Sequence, residues 1–277
     1  MSIKIVLDAG HSTNVSVGAR GNGLKEEIVV LDIALKVGEL LSKNGIDVLY
    51  TRKNGNAMAG CYTNATDLKS RCMFANNNKA NYYVSIHNNS ATSTSASGIE
   101  TLYNTRYSGS LGLATNIQNQ LIKDTGMRDR GLKVRTDLAV LNGTNMASCL
   151  IEVGFLSNVY DANQLKQIEF IDKVSESIAK GICKTCGITY KDATVKVDTE
   201  LENAISTLVK KGIVLNKDSW KSVDVIKLSN VQSLLMKLGG IDYLVSKKII
   251  GQVDMWKSGT YETKHVRALL IKCANML

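Results

Sequence analysis

The chain has no proline and only three histidines, and aromatic residues make up 5% of its 277 positions. Without proline, its loops must take their turn chemistry from Gly, Asn and Ser. No run of eighteen apolar residues occurs, so no membrane insertion is expected. The first residues enter an apolar strand with no charged segment and apolar core ahead of it, so no export signal is visible and synthesis in the cytoplasm is expected. Six cysteines, Cys61, Cys72, Cys149, Cys183, Cys186 and Cys273, follow no regular framework. Cys183-x-x-Cys186 has no second Cys or His pair to complete a zinc site, so ordinary thiols in a reducing compartment are expected.

Charge is present but not concentrated. Lys and Arg number 34 against 25 Asp and Glu, a net charge of +9. Up to Tyr190 there are 20 basic and 16 acidic residues, and after it 14 and 9, so neither part carries a basic tract. The excess suits an anionic polymer such as one found in a cell wall, and nucleic acid is not expected.

Apolar periodicity divides the chain. Strands are expected over 3–8, 46–51, 82–87, 98–103, 137–141 and 149–153, and helices over 26–44, 66–78, 108–124, 159–166 and 168–183. That alternation predicts an α/β fold, a twisted, mostly parallel sheet flanked by helices. Residues 1–188 make this first domain, 189–198 read as a polar linker, and 199–277 as a small all-α domain. Its first helix is expected to open on the capping box Thr199-x-x-Glu202 and to stop at Gly212.

The tail repeats itself. Leu208-Val209-Lys210-Lys211 with Ile213-Val214 returns 36 residues later as Leu244-Val245-Ser246-Lys247 with Ile249-Ile250, and Trp220-Lys221-Ser222 returns as Trp256-Lys257-Ser258. Val231, Leu234 and Leu235 return as Val266, Leu269 and Leu270. Two copies are too few for a free-standing solenoid, so a pair packed core to core is expected. The only two tryptophans of the chain are core plugs on one reading and aromatic contacts for a binding partner on the other.

Three strand-like runs deliver chemistry at their ends. Ile3 to Gly10 leads to His11, Tyr82 to Ile86 to His87, and Cys149 to Ile151 to Glu152. In open α/β sheets the site lies beyond the carboxyl ends of the strands, so these residues can converge. Two neutral imidazoles, one carboxylate and an open position form the ligand set of hydrolytic zinc sites. Glu26 and Glu27 open the first long helix, and either carboxylate can face His11; as first-turn residues they also compensate the helix dipole. Glu152, on an apolar strand, is placed to carry a proton for amide hydrolysis, with a pKa raised by burial.

Taken in order, the motifs resemble a known family. Asp8-Ala9-Gly10-His11, Gly23-Leu24-Lys25-Glu26, Thr51-Arg52, Leu68-x-x-Arg71-x-x-x-Ala75-Asn76, Val84-Ser85-Ile86-His87-x-Asn89, Gly98-x-Glu100-x-x-Tyr103, Asp129-Arg130-Gly131 and Ile151-Glu152-x-Gly154-Phe155-Leu156-Ser157-Asn158 cover residues 3 to 185. Together they resemble the zinc-dependent N-acetylmuramoyl-L-alanine amidases of the amidase-3 type. The resemblance implies one zinc ion held by His11, Glu26 and His87, with Glu152 as the catalytic carboxylate and Asn89 and Glu100 at the substrate. It selects Glu26 over Glu27, and it implies as substrate the peptidoglycan amide between N-acetylmuramic acid and L-alanine. An endolysin or autolysin acting on a Gram-positive wall is expected. The alternative is a zinc peptidase or deacetylase acting on another wall amide. The tail resembles helical modules appended to wall hydrolases; its position after a hydrolase domain suggests wall binding, with Trp220 and Trp256 as the contacts on the second reading of them, and a homodimer through the same domain is a further expectation.

Overall fold

Strand β1 (Lys4–Ala9) is buried along nearly its whole length, as a strand covered on both faces must be. Its side chains alternate between two cores. Ile5, Leu7 and Ala9 enter one cluster and Val6 the other. The computed structural model describes residues 3–191, 199–213, 228–251, 253–258 and 263–275. Within it the chain separates into a unit from Met1 to Ala193 and a unit from Thr194 to Leu277.

In the first unit, a two-residue hairpin, β2 (Arg20–Gly21) and β3 (Leu24–Lys25), precedes helix α1 (Glu26–Lys43). There follow β4 (Asp47–Tyr50), α2 (Asn64–Asn77), β5 (Tyr82–Asn89), β6 (Ile99–Tyr103), α3 (Gly109–Thr125), β7 (Asp129–Val134), α4 (Ala139–Gly143), β8 (Ala147–Phe155), α5 (Val159–Leu165) and α6 (Ile168–Thr185). Six strands form one sheet in the order β4-β1-β5-β8-β6-β7. Every pairing is parallel except that of β6 with β8. After β1 the chain adds β4 on one side and β5 on the other, so the topological switch point lies between β1 and β5, where an open sheet leaves a crevice. Helices α1, α3 and α6 cover one face, and α2 and α4 the other. Each fully buried Leu, Ile or Val there contributes about 1.5–3 kcal/mol.

The strand expected at 137–141 is instead helix α4, and a strand not expected, β7, forms at Asp129–Val134. A short apolar run does not distinguish strand from helix by periodicity. Here Leu138, Val140 and Leu141 pack into the α2-side core as one helical turn. Strand β7, reading Asp-Arg-Gly-Leu-Lys-Val, is polar because it lies at the sheet edge, where a charged strand deters pairing with other chains. A second difference concerns the strand ends: β5 runs past His87 to Asn89 and β8 past Glu152 to Phe155. An irregularity between His87 and Asn89 absorbs the extra residues.

The described residues of the second unit form helices α7 (Thr199–Lys210), α8 (Leu228–Lys237), α9 (Gly240–Ser246), α10 (Val253–Ser258) and α11 (Thr263–Ala274). Gly212 has φ +70 just beyond α7, the left-handed stop anticipated for it. The ends of α7 and α9 share one pattern of backbone bonds. Ile213 N donates to Leu208 O at 2.9 Å and Gly212 N to Val209 O at 3.0 Å, while Ile249 N donates to Leu244 O at 2.9 Å and Lys248 N to Val245 O at 2.9 Å. Val231, Leu234 and Leu235 meet Val266, Leu269 and Leu270 in a single core. Trp256 is 3% exposed in that core, the place expected of it as a core plug: its indole packs among leucines and isoleucines. Trp220 and most of the expected linker, 192–198, lie outside the described residues, as does the Glu202 side chain of the expected capping box.

Candidate metal centre

Strand β1 runs directly into the turn that carries His11, whose φ of +60 is a conformation non-glycine residues rarely adopt. Two guanidinium groups hold that turn by its carbonyls. Arg71 donates to Ala9 O and His11 O, each at 2.7 Å. Arg52 donates to Ala9 O at 2.9 Å and Gly10 O at 2.8 Å. Gly10 leaves the room this requires: a Cβ there would lie 2.3–2.6 Å from the His87 ring.

Beneath the turn lies a buried charge network. Asp8 accepts from Arg71 Nη1 at 2.7 Å, Thr51 Oγ1 at 2.7 Å and Ser85 Oγ at 2.6 Å. Arg71 also pairs with Asp67 one helical turn away, at 2.9 Å. Burial by itself would push the Asp8 carboxyl up, but the Arg71 guanidinium and the two hydroxyl donors override it and hold Asp8 well below the usual carboxylate range.

Glu26 reaches the same place from the other side. The β2–β3 hairpin aims the first turn of α1, and Ala19 N donates to Glu26 Oε2 at 2.7 Å while Asn88 N donates to Oε1 at 3.1 Å. Glu26 Oε1 then lies 3.0 Å from His87 Nδ1 and 3.3 Å from His11 Nε2. Against the cost of burial, the two imidazoles hold its carboxyl well below the usual range. Glu27 points elsewhere, accepting two bonds of 2.6 Å from Arg20. The hairpin thus gives each carboxylate its own partners, the two imidazoles for Glu26 and the Arg20 guanidinium for Glu27.

One ligand atom from each of His11, Glu26 and His87 falls within 4.8 Å of the others, the one such grouping among the described residues. Zinc bonds of about 2.0–2.2 Å in a tetrahedron put ligand atoms about 3.3–3.6 Å apart. The two separations from Glu26, 3.0 and 3.3 Å, lie near that spacing, and all three ligand atoms fall within 4.8 Å, so the group can close on such an ion with small side-chain shifts. The side of the group towards solvent is open, with the His11 side chain 27% exposed. Ser16 Oγ lies 3.5 Å from the far nitrogen of His11.

Glu152 stands opposite His87 in the β5–β8 register and opposite Glu100 in the β6–β8 register. Its Oε2 is buried and has no hydrogen-bond partner among the described residues. Burial first, then repulsion from Glu26 and Glu100, pushes its carboxyl well above the ordinary value. Two carboxylates shifted in opposite directions within one site are the mark of divided roles, one a fixed anion and one a proton carrier. Asn89 and Glu100 meet: Asn89 Nδ2 donates to Glu100 Oε1 at 3.0 Å, and Arg130 Nε to Glu100 Oε2 at 2.8 Å. No roles for Asp8, Arg52, Arg71 and Arg130 follow from periodicity. The signal for them is a charge inside an otherwise apolar segment, which must find a partner once buried.

Fold and site together define an α/β protein whose switch point carries a two-histidine, one-carboxylate group suited to a metal ion, with a protonatable glutamate beside it. The chain belongs to the amidase-3 family, the N-acetylmuramoyl-L-alanine amidases, whose pattern it matches over residues 5–184. It is 37% identical over 179 residues to the N-acetylmuramoyl-L-alanine amidase LytC of Bacillus subtilis, a match covering 64% of this chain and 34% of that longer protein. The endolysin of Bacillus phage SPP1 is 34% identical over 198 residues, 69% of each chain. Among solved structures, the catalytic domain of the amidase CwlV from Bacillus (Paenibacillus) polymyxa superposes with a TM-score of 0.61 at 33% identity, covering 68% of this chain and 99% of that one. Among the described residues, no helix is long and apolar enough to cross a membrane, and all six cysteines are free.

Proposed function

We propose that this protein is a zinc-dependent hydrolase of the peptidoglycan amide between N-acetylmuramic acid and L-alanine. The observation that carries the reading is the meeting of one ligand atom each from His11, Glu26 and His87 within 4.8 Å of one another, one strand away from a Glu152 whose Oε2 has no partner among the described residues. Zinc, when bound by those three residues, supplies a water of lowered pKa and a polarised carbonyl. The protein's own groups do the rest. Backbone amides of Ala19 and Asn88 fix the Glu26 carboxylate, and the arginine clamps fix His11. Glu152 accepts the proton that water loses on attacking the carbonyl carbon and returns it to the nitrogen as the C–N bond breaks, so a neutral amine departs. Burial, with repulsion from Glu26 and Glu100, raises its pKa and so favours its taking up that proton. Asn89 and Glu100 extend the wall along which the substrate lies.

The second unit is assigned the task of holding the enzyme to the wall, where tethering raises effective concentration at an insoluble substrate. The excess of 14 basic over 9 acidic residues after Tyr190 favours an anionic wall polymer as its contact. Deleting residues from 194 onward is expected to reduce pelleting with isolated Gram-positive walls, and sedimentation of the full chain tests a homodimer.

Purified muropeptides test the activity. Release of intact stem peptides with a free L-alanine amine supports it; release of acetate or of a terminal amino acid alone points to a deacetylase or peptidase. Glu152→Gln is expected to reduce kcat by about 10²–10⁴-fold, and full activity in that variant overturns the role given to Glu152.

A further inference from the structure

Arg130 has a job that its ion pair does not exhaust. Its Nε donates to Glu100 Oε2 at 2.8 Å, and its guanidinium carbon sits 4.8 Å from the centre of the Phe155 ring. Among the described residues, neither Nη1 nor Nη2 has a partner, while the side chain stays 28% exposed. The neighbouring arginines are occupied differently. Arg135 closes on Asp137 through Nε and Nη2, each at 2.7 Å, and Arg106 donates Nη1 to Asn142 O at 2.8 Å. Arg130 is thus held over the Phe155 ring and bound at one edge, leaving its two terminal nitrogens as a fork. That is the shape that binds a carboxylate through two parallel bonds.

The sheet order gives the fork its place on the substrate. Across the sheet the strands run β1, β5, β8, β6, β7, carrying His11, His87, Glu152, Glu100 and Arg130 in that order. Glu152 delivers its proton to the departing nitrogen, so the strands beyond β8 underlie the departing peptide. Strands lie about 4.8 Å apart and an extended peptide advances about 3.3 Å per residue. With Nε drawn back to Glu100 on β6, the fork lies one to two strands past Glu152, within about the first three stem residues. The charge of Glu100 opposes an incoming anion, but both of its oxygens already accept bonds, from Arg130 and from Asn89.

We propose that Arg130 reads a free carboxylate on the departing stem peptide, so that the enzyme prefers stems in which that group is a carboxylate to stems in which it is a carboxamide. This rests on the amidase reading above. The test is a set of N-acetylmuramoyl tripeptides in which each stem carboxylate in turn is converted to its carboxamide, cleaved by wild type, Arg130→Gln and Arg130→Lys. For one position, wild type is expected to favour the carboxylate by about tenfold or more in kcat/KM, mainly through KM. In Arg130→Gln that ratio should fall close to one, and Arg130→Lys, a point charge without the fork, should restore part of it. A ratio that survives in Arg130→Gln, or losses equal for every substrate as a merely structural role would give, overturns the inference. If wild type cleaves the whole set without discrimination, this inference falls and the amidase reading stands; if it cleaves none, both fall.

Discussion

The two sides of this site handle buried charge in opposite ways. Under the His11 turn, Asp8, Arg71 and Arg52 are surrounded by partners, and each polar atom of the guanidinium groups donates to a carboxylate or a carbonyl. Two strands from Asp8, Glu152 keeps a buried oxygen with no hydrogen-bond partner among the described residues. A satisfied network holds atoms still; an unsatisfied carboxylate is destabilised in its charged form and so is ready to take up a proton. The residues proposed to hold a metal sit on the rigid side, and the residue proposed to carry a proton on the electrostatically tense one.

Breaking the satisfied side should give the largest loss of stability. Arg71→Ala leaves Asp8 buried without its cation and is expected to cost about 3–5 kcal/mol of unfolding free energy, read by denaturant titration. Adding Asp8→Asn should recover part of that loss, because the two residues share one network. If Arg71→Ala unfolds like wild type, the network is not what secures the turn.

Removing metal tests the ligand group itself. A chelator should lower stability by about 2.7 kcal/mol relative to zinc at a hundred times its Kd, and the shift in Tm should vanish in His87→Ala. An unchanged melting temperature in wild type would argue that His11, Glu26 and His87 hold no ion.

Acid should weaken the satisfied side in a defined window. Asp8 is held below its ordinary pKa, so its contribution to stability is fully present above about pH 4 and is lost as pH falls below that value. Asp8→Asn should flatten the decline of unfolding free energy with pH in that range. The smallest effect is expected from Ser16→Ala: at 3.5 Å from His11, the hydroxyl only helps orient the ring, and zinc affinity should fall by about tenfold or less.

Much of this was legible along the chain, and the exceptions have common causes. Apolar runs placed β1, β5 and β8 because a strand covered on both faces has no polar alternation to hide it. Edge strand β7 was illegible for the opposite reason, since half-exposed positions tolerate Arg, Gly and Lys. The turn at 139–143 reads equally as strand or helix until the α2-side core selects the helix. In the second unit the 36-residue repeat was plain from residues alone, whereas the burial of Trp256 depends on which leucines surround it.

Residue identities were enough to single out His11, His87 and Glu152 as candidates, because their strands can end at one edge of an open sheet. They could not separate Glu26 from Glu27 or say what Arg52, Arg71 and Arg130 are for. Those outcomes turn on distances of about 3 Å between groups far apart in sequence, such as the 3.0 Å from Glu26 to His87 and the 2.8 Å from Arg130 to Glu100. A hydrogen bond acts only over such a distance. Strand order, hairpin and bulge had to set it before either carboxylate acquired its role.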